Sequence, residues 1–70
     1  MKPLKKGEDL SKTHTIFFPL AIQAATKKAF YIRVFNKKGG LCYVWVPISR
    51  IRFEPLEDKI KYYAPNFFIK

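Results

Sequence analysis

Residues 29–35 and 41–46 alternate in polarity and flank Asn36-Lys37-Lys38-Gly39-Gly40, whose glycines can take positive φ. In the first run Phe30, Ile32 and Val34 share one face, and Tyr31, Arg33 and Phe35 share the other. In the second run Leu41, Tyr43 and Trp45 oppose Cys42, Val44 and Val46, before Pro47 ends the pattern. A period of two on both sides of a glycine turn predicts an antiparallel hairpin.

The chain has 70 residues, enough for one small domain. Cys42 is its only cysteine, which excludes an intramolecular disulfide and any paired-cysteine zinc site. Lying between Leu41 and Tyr43, it reads as a small buried hydrophobe. Stability must then come from dense packing, and 12 residues are Phe, Tyr or Trp, each able to bury about 150–250 Å².

The remaining segments are shorter. Residues 1–12 carry Lys2, Lys5, Lys6 and Lys12 with few apolar groups and read as a flexible basic arm, leaving 13–70 as a single small β-rich domain. Residues 13–18 are β-branched or aromatic and stop at Pro19, which predicts a strand. Residues 20–28 have helix propensity, with Pro19 suited to the first helical position, and predict one short helix docked through Leu20, Ala21 and Ala24 or Ala25. Residues 47–51 predict a turn or a single helical turn, 52–54 a short strand, 55–58 a turn and 59–63 a further strand. Phe17-Phe18-Pro19-Leu20 and Trp45-Val46-Pro47-Ile48 share a pattern consistent with an internal duplication. The expected fold is mainly β with one short helix: four or five strands in a small antiparallel sheet or an SH3-like or OB-like barrel.

Catalysis needs convergent acids, bases or ligands, and here there is one histidine, His14, and five carboxylates. Glu8 and Asp9 lie in the expected arm, and Glu54, Glu57 and Asp58 flank a turn. No phosphate-loop or nucleophile-elbow pattern occurs, so the expectation is a non-enzymatic protein with no cofactor and no metal. Nor does any stretch match the roughly 18–20 apolar residues of a membrane helix, and with no leader-like apolar run the expected location is cytoplasmic.

Charge supplies the positive signal. Fourteen Lys and Arg against five Asp and Glu give +9, a field that attracts polyanions. Lys27, Lys28, Lys37 and Lys38 flank the strand carrying Tyr31, Arg33 and Phe35; Arg50, Arg52, Lys59 and Lys61 form a second cluster. Cations hold phosphates and aromatic faces hold unstacked bases, so these eleven residues are candidate nucleic-acid contacts. No helix-turn-helix, zinc-finger or ribonucleoprotein motif occurs, which predicts sequence-tolerant binding to a single strand. Trp45, Phe67, Phe68 and Ile69 are instead candidate anchors for a protein partner.

Val44-Trp45-Val46-Pro47-Ile48-Ser49, preceded by Lys27-Lys28-Ala29-Phe30-Tyr31-Ile32 and followed by Tyr63-Ala64-Pro65-Asn66-Phe67-Phe68, resembles small uncharacterised proteins of bacteriophages and other mobile elements. Ile48 and Arg50 depart from the more polar turn expected there. The resemblance implies a place in a replication module, as an accessory to a primase, polymerase or helicase that binds single-stranded DNA. Two expectations stand together: a nucleic-acid-binding accessory protein, or a protein-interaction subunit that leaves nucleic acid to its partner.

Overall fold

The computed structural model describes residues 1–69. Among these residues seven strands, where four or five were expected, form two sheets: β1 (Lys2–Pro3), β2 (His14–Phe17), β3 (Ile22–Ala25), β4 (Ala29–Phe35), β5 (Leu41–Pro47), β6 (Arg52–Pro55) and β7 (Ile60–Pro65). The order β1-β6-β7-β2 makes a four-stranded sheet, and β3-β4-β5 makes a three-stranded one. Every pairing is antiparallel except β1 with β6.

The expected hairpin is present in full register, with Tyr31 opposite Trp45, Arg33 opposite Tyr43 and Phe35 opposite Leu41. Its inner face joins the four-stranded sheet through a core of Phe17, Ile32, Val34, Val46, Ile51 and Ala64. Ile32, Val46, Ile51 and Ala64 have no exposed surface. Phe17 stacks on Tyr62 at 5.1 Å, and Phe30 meets Tyr62 edge-on at 6.1 Å, so an aromatic triplet helps bridge the sheets. Cys42 is half-buried against this core, as a small hydrophobe would be.

Three 3-10 turns, Pro19–Ala21, Ile48–Arg50 and Asn66–Phe68, each end on an isoleucine. Ile22, Ile51 and Ile69 donate their amides back to the first residue of their turn and press their side chains into or against the core. The first two turns carry the chain from one sheet to the other, so β2–β3–β4 and β5–β6–β7 trace the same path. The two segments that look alike in sequence do occupy equivalent crossings, but shifted by one residue: Pro19 opens its turn, whereas Pro47 precedes its own.

Three expectations are corrected. The short helix over residues 20–28 is absent: only Pro19–Ala21 is helical, in a 3-10 turn, and Ile22–Ala25 forms β3 against β4. A two-turn helix is marginal alone, and pairing with β4 supplies backbone partners that propensity cannot. Leu20, expected to dock, is 92% exposed. The barrel does not close, because β3 is bulged between Ile22 and Ala24 and pairs with β4 only as far as Ile32.

The flexible arm expected over residues 1–12 is instead tied to the domain. Lys2 and Leu4 donate amides to Ile51 and Phe53, and Leu10 is buried. Arg52 grips Glu8, its Nη1 donating to Oε2 at 3.1 Å and its Nη2 to Oε1, while Nη2 also reaches the Pro3 carbonyl at 3.0 Å.

Two predictions follow from the packing and the ion pair. Ile32→Ala should cost about 2–5 kcal/mol in urea unfolding, because the side chain is fully enclosed and a cavity replaces it. Glu8 is held below the usual carboxylate value first by its hydrogen bond from Arg52, and His14 is lowered first by burial. Both folded-state values lie below the unfolded ones, so both contributions are complete at neutral pH and are lost on acidification. Melting temperature should fall as pH drops below about 6.5 and again below about 4.3. His14→Gln should flatten the first decline and Glu8→Gln should reduce the second, with unchanged behaviour in both variants counting against the assignment.

Candidate nucleic-acid interface

Because Ile32 and Val34 point inward, Tyr31, Arg33 and Phe35 must point outward, and the paired strand adds Leu41, Tyr43 and Trp45 beside them. Phe35 is 67% exposed, Trp45 50% and Tyr43 47%. The Tyr31 ring packs against Trp45 at 5.0 Å and against Tyr43 at 5.9 Å, with interplanar angles of 33° and 27°. Tyr31 is half-buried between its neighbours, so accessible ring surface belongs mainly to Trp45 and Tyr43. Tyr31 therefore sets the spacing of the row.

Both ends of β4 carry lysine pairs in turns capped by the preceding side chain. Thr26 Oγ1 accepts from the amides of Lys28 at 3.2 Å and Ala29 at 3.1 Å. Asn36 Oδ1 accepts from Lys38 at 3.0 Å and Gly40 at 2.9 Å, and Gly39 takes φ +80° between them. Lys27, Lys28, Lys37 and Lys38 are all exposed. The seven residues of β4, at about 3.3 Å each, put roughly 23 Å between the two cationic turns. Arg33 lies between them, also exposed. The Lys28 carbonyl accepts the Ile48 amide at 2.8 Å, fixing one turn to the core.

In the second basic cluster, one of the four cations is taken up within the protein. Arg52 is engaged by Glu8 and Pro3, with its side chain 19% exposed, and so is withdrawn from any ligand. Arg50 is exposed on the second 3-10 turn. Lys59 Nζ sits 4.9 Å over the Phe18 ring, and half-buried Lys61 lies 5.4 Å over Tyr63. Tyr63 is buried and donates to Glu54 Oε1 at 3.1 Å. The Lys61–Tyr63 and Tyr63–Glu54 contacts lie within the four-stranded sheet.

Comparison with protein-family models, with curated proteins and with solved structures finds no match.

Of the expected partner anchors, Trp45 belongs to the aromatic row beside Tyr31. Phe68 and Ile69 pack against the core, leaving Phe67 alone exposed, at 81%. Tyr43 and Leu41 were not singled out in the sequence, although their alternation with Trp45 placed them on the same face. Asn36 and Thr26 were also missed; side-chain oxygens before lysine pairs are a signal for such capped turns. Among the described residues no group of three His, Cys, Asp or Glu could hold a metal ion. None of the helices there is long and apolar enough to cross a membrane.

The capped turn carries a prediction of its own. Asn36→Ala removes the acceptor for two amides and should cost about 1 kcal/mol in chemical denaturation. Gly39→Ala meets open space but forces an unfavourable φ, with a cost of about 1–2 kcal/mol. Parent-like stability in both variants would show that the lysine turn is not held in this form.

Proposed function

We propose that the protein is a non-enzymatic accessory module that holds single-stranded nucleic acid on the outer face of its three-stranded sheet. The observation that carries this reading is the exposed row Trp45–Tyr31–Tyr43, bounded at both ends by cationic turns and crossed by Arg33. Duplexes keep base faces stacked, whereas single strands offer them to aromatic rings, so this face favours single strands. Trp45 and Tyr43 take the bases, Tyr31 spaces them, and Arg33 with Lys27, Lys28, Lys37 and Lys38 neutralises phosphate. Stacking and phosphate contacts carry little base identity, so binding is tolerant of sequence.

A role in phage or mobile-element replication, beside a primase, polymerase or helicase, rests on the resemblance of the segment around Val44–Ser49, and a cytoplasmic location on the single cysteine. A second reading, a protein-interaction subunit that never touches nucleic acid, is favoured by one observation, the exposed Phe67 ring packed edge-on to Phe68 at 5.2 Å.

Trp45 is the only tryptophan, so its fluorescence reports on the face itself. Addition of oligothymidylate should quench that fluorescence, and labelled oligothymidylate should gain anisotropy at low salt and lose it as salt rises. Tyr43→Ala should weaken binding by about 1–3 kcal/mol with an unchanged salt slope, because stacking releases few counterions. Arg33→Ala should reduce the slope by about 0.7, one single-strand phosphate contact. Absence of binding at low salt to both single strand and duplex would reject this function and leave the protein-interaction reading.

A further inference from the structure

The unclosed side of the fold is a groove of about 620 Å³ between β2 with the first 3-10 turn and the far end of the hairpin. Ile16, Phe18, Leu20, Phe35 and Leu41 line it, together with Arg33. Leu20 is 92% exposed, and the apolar side chains of Ile16, Phe18, Phe35 and Leu41 are also exposed. Five such groups around one concavity form a contiguous apolar surface of the kind that marks an interaction site.

Strand edges open onto this groove. β2 is the last strand of its sheet and has β7 as its partner. Backbone direction alternates along such a strand. Thr13 accepts the Asn66 amide with its carbonyl, at 2.9 Å, whereas His14 turns its amide away to the Leu10 carbonyl, also at 2.9 Å. By the same alternation Ile16 directs its amide and carbonyl away from β7. Across the groove, β4 runs on to Phe35, beyond Ile32, its last residue paired with β3. An extended segment laid there gains main-chain hydrogen bonds from β2 and side-chain burial from both walls, which is strand addition.

Charge selects the occupant. Among the described residues no carboxylate lines the groove, Arg33 stands in its wall, and Lys59 Nζ lies 4.9 Å from the Phe18 ring. Glu8 is occupied by Arg52, Asp9 by Ser11 and Glu54 by Tyr63. A second copy would bring another +9 to the same place. The chain's own apolar end is already used, with Phe68 and Ile69 against the core.

We infer that the groove takes an extended acidic segment of a partner protein, whose alternate apolar side chains fill the groove while its carboxylates meet Arg33 and Lys59. The four residues of β2, at about 3.3 Å each, set a contact of roughly 13 Å. This site shares Arg33 with the nucleic-acid face but not Trp45, Tyr31 or Tyr43, so it is tested at Leu20 and Ile16, which that face does not use.

The probe is a short fluorescein-labelled peptide alternating glutamate with valine or isoleucine, compared with the same peptide carrying lysine for glutamate. The glutamate peptide should raise anisotropy and the lysine peptide should not. Leu20→Ser, at a side chain almost wholly in solvent, should weaken glutamate-peptide binding about tenfold or more. It should leave oligothymidylate binding unchanged. Amide resonances of Ile16 and Phe18 should shift on peptide addition, and Ile16→Thr should weaken binding while keeping a β-branched strand residue. Binding of neither peptide, or equal binding of both, overturns the inference. It is also overturned if the shifts map to Tyr43 and Trp45, if Leu20→Ser weakens oligothymidylate binding, or if the parent chain forms a dimer that Leu20→Ser dissolves.

Discussion

The structure depends on the sealed row at the centre of the hairpin, where Ile32 and Val46 have no exposed surface. A strand has a period of two, so burying one row obliges the other to face outward. A slip of one residue would drive Arg33 and Trp45 into the core and expose Ile32 and Val34. Burial of a few aliphatic side chains therefore positions the aromatic row as firmly as any direct contact between its rings. The capped Asn36 turn reinforces the same register from the end of the hairpin.

The two outer faces of the molecule are treated differently. On the four-stranded sheet, β1 pairs along β6, Leu10 is buried, and Glu8 neutralises Arg52. On the three-stranded sheet, Tyr43 and Trp45 remain half exposed with cations at both ends. Two of the five carboxylates, Glu8 and Glu54, hold Arg52 and Tyr63 on the four-stranded sheet, which leaves the positive field of the hairpin unopposed by them. The consequence of Glu8 here is that it removes one cation from the binding inventory and ties the start of the chain to β6.

With no disulfide to staple it, the chain turns corners by one device used three times. A strand meets proline, a 3-10 turn follows, and an isoleucine amide closes that turn while its side chain enters or abuts the core. Proline presets φ and discourages continuation of the strand, so the crossing occurs where the sequence places it. The first crossing leaves β3 short and bulged, and that shortness keeps the barrel open and creates the groove beside β2.

The sequence alone determined the hairpin, its two faces and its cationic ends, because alternation and glycine turns are local signals that burial enforces. It determined the strands at 14–17, 52–55 and 60–65 in the same way, within a residue or two at their ends. Tertiary structure decided what local signals cannot encode. Residues 22–25 became a strand because β4 offered hydrogen-bond partners, overriding helix propensity. The first twelve residues joined the domain because Glu8 meets Arg52 across 44 positions of sequence. The same contact withdrew Arg52 from the candidate site, while Tyr31 lost its open ring faces to Tyr43 and Trp45. Residue type and spacing state which cations and rings are available; only the packed molecule decides which of them are already spent on one another.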